Sequence, residues 1–321
     1  MRQSRLVSYS LLCAALLATL LGCSPASQSA AEKALSDLPA FDGDRSYDLL
    51  KKQVALGTRE PGSPGHAACA QFIESQLKPY ADGVTAQRFS VTAEGTKLDL
   101  TNIAAHFNPS AKKWVLLVAH WDTRPRADYE INPEKRKQPI PGANDGASGT
   151  AVLLELARLL KEHKPRIGVY MLFVDGEDYG TSDKAMYLGA KHFAANLEKL
   201  AMVDGRPVKF EYGILLDMVG DKNLRVYQEQ NSVKAAKHVV DKVWKAAAAL
   251  GYTRNFPPEQ KYAITDDHVP LIAAGIDCID VIDFDYGPWH TLDDTPDKCS
   301  PKSLKIVGDV VQYVIYTEDP T

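Results

Sequence analysis

Apolar positions recur along this chain in two alternating periods, and the alternation outlines a fold. SYDLLKKQVALG, from Ser46, places apolar residues at helical spacing and stops at a glycine. The turn REPGSPG separates it from a second amphipathic stretch, HAACAQFIESQLKPY, which ends at Tyr80. Residues 84–91 and 97–106 alternate with period two and predict strands, whereas 115–119 is a continuous apolar run, as in a strand buried on both faces. Residues 124–139 are charged and contain prolines, which predicts an exposed loop. Helices are predicted over 148–160, with Ser148 as the cap, and over 185–196, 232–250 and 303–316; strands are predicted over 168–174, 212–218 and 276–282. Strands alternating with helices predict a single α/β domain with a mostly parallel, twisted central sheet flanked by helices.

The first residues follow a different rule. Arg2 and Arg5 precede a short apolar run, Leu11–Leu21, that ends in Gly22-Cys23 and resembles a bacterial lipoprotein signal. The resemblance implies a signal over 1–22, a lipid anchor on Cys23, a small polar tether over 23–40 and a catalytic domain over 41–321. Ser24, rather than Asp, implies sorting to the outer membrane, on its periplasmic side. The plainer alternative is a secretory signal cut nearby. A net charge of −4 gives no footprint for a nucleic-acid partner. Cys69, Cys278 and Cys299 lie beyond the signal; an exported setting permits one disulfide, with Cys278–Cys299 the favoured pair.

The chemistry sits just past the strand-like runs. VLLVAHWDT places His120 and Asp122 after an apolar run, on one side of the chain. PGANDGASG puts Asp145 in a glycine-rich turn, VDGEDYG ends in the adjacent carboxylates Glu177 and Asp178, GILLDMVGD carries Asp217, and DYGPWHTLDD presents His290. Taken singly, each has a bland reading: a polar strand cap, an Asn-Asp-Gly turn, a solvated acidic loop. Taken together they supply imidazole and carboxylate donors at the carboxyl ends of strands, where open α/β sheets bind ligands. Zinc takes these donors, and a catalytic site leaves one position open. Of two adjacent carboxylates, one can bind the metal while its neighbour serves as a general base.

The ordered set His-x-Asp, Asn-Asp-Gly-x-Ser-Gly, Asp-Gly-Glu-Asp, Leu-Asp-Met and His-Thr-x-x-Asp resembles the zinc aminopeptidase superfamily with co-catalytic metals, which includes the animal-type glutaminyl cyclases. The resemblance runs from Arg59-Glu-Pro-Gly-Ser to the last helix. It implies Asp145, Asp178 and His290 as ligands of the zinc both branches keep, and His120 and Asp217 as further ligands of a second zinc in the aminopeptidases. Glu177 is implied as general base or acid, and Asp122 as the partner of His120. Trp289 before the ligand histidine, and Asp266 in TDDHVPL, resemble the cyclase branch; Asp266 would join a catalytic hydrogen-bond network. TSDKAMYLGA departs from that branch by lacking its pocket tryptophan, so Met186 or Tyr187 takes the place, and Asp280 stands where animal cyclases have histidine.

The expected function is therefore a glutaminyl-peptide cyclotransferase using one zinc on peptides with a free N-terminus. The alternative is an aminopeptidase using two. A metal-free binding lipoprotein is the remote third reading, disfavoured by the intact ligand set and by the repulsion an unpaired acidic cluster would feel.

Overall fold

Trp114–His120 (β3) is buried at every residue, and so is Gly168–Val174 (β4), because both lie in the middle of a sheet covered on its two faces. The computed structural model describes residues 40–321; the predicted signal, Cys23 and all but the end of the tether lie outside the described residues. The chain enters through helices α1 (Gly43–Ala55), capped by Asp42, and α2 (Pro64–Leu77), capped by Ser63. An antiparallel hairpin follows, β1 (Gly83–Ala93) and β2 (Thr96–Phe107), and then β3. Next come α3 (Ala147–Glu162), β4, α4 (Leu188–Ala195), the single turn α5 (Leu197–Leu200) and a two-residue hairpin, β5 (Met202–Val203) with β6 (Arg206–Pro207). Strand β7 (Phe210–Asp217), helices α6 (Gln230–Ala249) and α7 (His268–Ala273), β8 (Cys278–Ile282) and α8 (Pro301–Thr317) complete the domain. No described helix is long and apolar enough to cross a membrane.

The sheet order is β1-β2-β4-β3-β7-β8. Strands β4, β3, β7 and β8 run parallel, and the β1–β2 hairpin joins β4 antiparallel at one edge. After β3 the chain moves to one side to form β4, then crosses to the other side to form β7. This reversal opens a crevice at the carboxyl end of β3, where His120 is the last residue of the strand. Alternation along β3 splits the core into two layers. Val115, Leu117 and Ala119 join the larger apolar cluster with α1, α3, α6 and α8, while Leu116 and Val118 face Phe193 and Leu271 in the other.

Four expectations need correction. Helix α3 is capped by Gly146, not Ser148: Gly146 has φ 96°, and a Cβ there would lie 2.4 Å from the Asp122 carbonyl oxygen. Ser148 instead donates to Asn144 O (2.6 Å) and accepts from Val219 N (3.1 Å), tying the Asp145 turn to the end of β7. The helix predicted from 185 starts at Leu188, because Tyr187 adopts a left-handed φ of 58° that ends the preceding turn. In the loop over 124–139, residues 131–138 are exposed, but Arg124 and Ala127 are buried. Cys278 and Cys299 form no disulfide; all three described cysteines are free. The sheet separates that pair, since Cys278 packs in the smaller cluster and Cys299 in the larger one on the opposite face.

Candidate active site

Parallel strands put their carboxyl ends at one edge, and the predicted residues meet there. The pocket, about 400 Å³, is lined by Asp145, Glu177, Asp178, Asp217, Asp266 and His290, with Met186, Tyr187 and Trp289 among its walls. His120 sits beneath it, with Nε2 at 3.2 Å from Asp217 Oδ1 and 3.3 Å from Asp145 Oδ1. His290 Nε2 lies 3.4 Å from Asp178 Oδ1 and 3.6 Å from Asp145 Oδ2. Two groups of donors are close enough to share an ion: Asp145, Asp178 and His290, and, using Asp145 again, His120 and Glu177.

The loops carrying these residues are braced from behind. Asp122, fully buried, stands 3.6 Å from His120 Nδ1, and its two carboxylate oxygens accept from the backbone N–H groups of Glu177 (3.1 Å) and Asp178 (3.3 Å). One side chain thus orients an imidazole and aims the acidic pair. Asp294 does the same for the other ligand loop, accepting from Asn144 N (2.8 Å), Asp145 N (3.1 Å) and Tyr286 Oη (2.7 Å). Burial, then the charge of Asp145, pushes the Asp294 carboxyl up to about 7. Tyr187, Met218 and His290, all in the pocket lining, have φ of 58°, 44° and 55°. Left-handed backbone costs a residue with a Cβ about 1–3 kcal/mol, and its concentration here marks a site held by its surroundings.

Sequence reading missed several participants. Arg124 follows Asp122 by two positions, but nothing local distinguishes it from the neighbouring loop arginines. In the fold it is buried, and its Nη1 donates to Asp178 Oδ1 at 2.6 Å and to the Asp178 carbonyl at 3.3 Å, while Nε donates to Asp128 at 2.7 Å. Asp294 lay within the His-Thr-x-x-Asp motif without a role. Phe284, Ile264 and Tyr129 complete the pocket wall, and no local signal singles them out.

Electrostatics separates the adjacent carboxylates. Burial and the neighbouring Asp178 charge push Glu177 well above the ordinary carboxylate range. Burial acts on Asp178 too, but His290 and Arg124 hold its carboxyl below the usual value. Burial would lower His120, yet Asp217, Asp122 and Asp145 raise it well above a free imidazole. Burial, then mutual charge with Asp217 and Asp267, raises Asp266 strongly.

The donors fit zinc. Asp145 Oδ2 and Asp178 Oδ2 are buried without a hydrogen-bond partner, and His290 Nε2 faces both carboxylates, amid more buried carboxylates than the nearby cations neutralise. A divalent cation offsets that excess, and two carboxylates with an imidazole leave a fourth zinc position open. Arg124→Gln is expected to raise the Asp178 carboxyl and weaken zinc binding by about tenfold or more. Protons compete with the metal for a deprotonated ligand, so the loss should be greater in acidic than in alkaline buffer. A zinc titration of both proteins across pH measures this; parallel affinity curves would show that Arg124 does not tune the ligand.

A buried set of two carboxylates and one histidine at the switch point of a mostly parallel sheet is the arrangement of a metal-dependent α/β enzyme. Residues 102–315 match Peptidase family M28, and the chain belongs to that family. The glutaminyl-peptide cyclotransferase-like protein of Bos taurus is 26% identical over 288 residues, covering 82% of this chain and 73% of the relative. Among solved structures, a Zn-dependent exopeptidase from Parabacteroides distasonis superimposes with a TM-score of 0.83 at 39% identity, covering 88% of this chain and all (100%) of that one. A glutaminyl cyclase from Bacteroides thetaiotaomicron bound to N-acetylhistamine does so with a TM-score of 0.83 at 38% identity, with the same 88% and 100% coverage.

Proposed function

We propose that this protein is a zinc-dependent glutaminyl-peptide cyclotransferase that converts an N-terminal glutamine to pyroglutamate and releases ammonia. The observation that carries the reading is the aromatic-walled pocket above the Asp145–Asp178–His290 group, with Glu177 at its edge. Trp289 packs on His290 with ring centroids 4.0 Å apart, and Tyr187 and Ile264 also line the pocket, so a flat side-chain amide is enclosed over the ligands. Asp145, Asp178 and His290 would hold zinc, which when bound polarises the glutamine side-chain carbonyl.

This chain's residues do the remainder. Glu177 takes a proton from the α-amine, whose nitrogen forms a bond to the side-chain carbonyl carbon. The bond from that carbon to the amide nitrogen breaks, and Glu177 returns the proton to the departing ammonia. Asp122 keeps Glu177 aimed through its backbone N–H. Asp266 lines the pocket near Glu177, and burial with the charges of Asp217 and Asp267 raises its carboxyl, which favours the protonated form that can donate to the reacting groups. Trp289, Tyr187 and Met186 exclude water and orient the intramolecular attack, which is where most of the acceleration arises.

Hydrolysis as an aminopeptidase is the second reading, favoured by the second donor group. In this fold His120 Nε2 approaches Asp217 and Asp145 about equally, at 3.2 and 3.3 Å, and Glu177 lies within reach of the same group. A metal that also took Glu177 would occupy the base, which favours the single-zinc cyclase. Incubation with a glutamine-initiated peptide, followed by mass spectrometry, separates the readings: loss of ammonia alone means cyclisation, loss of the first residue means hydrolysis. His120→Ala should keep its zinc equivalent in a cyclase; losing one of two equivalents and most activity would establish the hydrolase.

A further inference from the structure

Two large apolar side chains stand exposed among the described residues, Tyr129 at 59% and Ile131 at 94%. Single exposed apolar residues are ordinary, but these lie two positions apart at the mouth of the pocket and continue its aromatic wall. Tyr129 stacks on Trp289 with centroids 5.0 Å apart, Trp289 meets Phe284 at 4.7 Å, and Phe284 meets Tyr262 edge-on at 5.3 Å. Tyr129 lines the pocket over the ligands and also a separate groove of about 330 Å³, whose apolar side is formed by Tyr129, Ile131 and Pro288 and whose rim carries Glu130 and Asp293. The Tyr129 ring is therefore a wall common to both spaces.

The groove's two sides are fastened to each other. Tyr129 N donates to His290 O (3.1 Å), Leu292 N donates to the Glu130 carboxylate (2.9 Å), and Arg136 Nε donates to Glu130 O (2.7 Å). The loop bearing Tyr129 and Ile131 is thus joined to the loop that supplies the ligand His290. A groove fixed to a metal ligand keeps a constant offset from the reacting atoms, as a substrate subsite requires.

A peptide whose first residue lies over the ligands can leave past Tyr129, an exposed wall residue whose ring centroid lies 5.6 Å from that of His290. Extended chain rises about 3.3 Å per residue, so on that path the second side chain meets Tyr129 and the following one the Ile131 side of the groove. We propose that the groove along Tyr129, Ile131 and Pro288 receives the second and third residues of the peptide substrate and selects apolar or aromatic side chains there. The inference rests on the reading that the site acts at a peptide N-terminus, and it holds for cyclisation and hydrolysis alike.

The test separates the groove from the chemistry. Binding of glutaminyl peptides with Phe at the second and third positions, or Gly at both, is measured by calorimetry on zinc-loaded Glu177→Gln protein, with and without Ile131→Asp. The Phe peptide should bind about tenfold tighter than the Gly peptide, and Ile131→Asp should reduce that ratio about fivefold, with Ile131→Leu restoring it. An equal ratio in all three proteins would overturn the proposal. Turnover of the same peptides by the wild-type chain tests the function independently. Failure to form pyroglutamate or a shortened peptide counts against the proposed activity, whereas turnover with an unchanged Phe-to-Gly ratio in Ile131→Asp counts against the groove alone.

Discussion

Glu177→Gln is expected to keep bound zinc while losing about 10²–10⁴-fold in kcat, the usual contribution of a positioned general base. Glutamine fills the same volume and preserves the backbone N–H bond to Asp122 that shapes the loop, but its amide cannot take a proton from the α-amine. The group assigned to zinc, Asp145, Asp178 and His290, is untouched. Ammonia release from a glutamine-initiated peptide and zinc content measured on one preparation check both halves. Unchanged turnover would remove Glu177 from the role of base. Loss of zinc would show instead that it ligates the metal, as the second donor group permits.

Arg59→Leu should destabilise the domain by about 3 kcal/mol or more, with zinc affinity falling in parallel. Arg59 is fully buried. Its guanidinium donates to three carbonyls, Trp121 O at 3.0 Å, Pro141 O at 2.9 Å and Gly142 O at 2.5 Å. Leucine matches part of the volume but leaves those oxygens unpaired, at about 1–3 kcal/mol each, partly relieved by removing a buried charge. Two of the carbonyls belong to the loop that leads into Asn144-Asp145, and the third lies between His120 and Asp122, so the same three bonds lock both halves of the ligand set. The midpoint of denaturant unfolding measures the first effect and a zinc titration the second. A variant with the wild-type midpoint would show that the loop is held by other contacts.

The strand and helix pattern was legible because burial writes a period into the chain. The continuous apolar run at 115–119 is a buried strand, and the leucines of 148–160 are all buried in α3. Caps were less legible. Ser148 suits an N-cap by its chemistry, but the close approach of the Asp122 carbonyl demands a glycine at 146 and frees the serine for a longer-range bond. His120, Asp178 and Asp217 were recognisable as metal-binding side chains just past apolar runs, and Asp145 in its glycine-rich turn and His290 after Trp289 were recognisable as the remaining members of the ordered set. Arg124 was not, because its partner Asp178 is distant in sequence and its own neighbours are ordinary loop charges.

The sequence by itself determined the α/β order of elements, the strand ends where chemistry would gather, and the types of donor gathered there. All three are local: periodicity, turn residues and side-chain identity require only near neighbours. The tertiary structure alone decided which donors lie close enough to share an ion, that Asp122 and Asp294 aim the ligand loops, that Cys278 and Cys299 lie on opposite faces of the sheet, and that Tyr129 stands between the pocket and a groove lined by Ile131. Those facts depend on strand order and on loops held at left-handed φ by residues far along the chain, and such long-range contacts leave no period in the sequence.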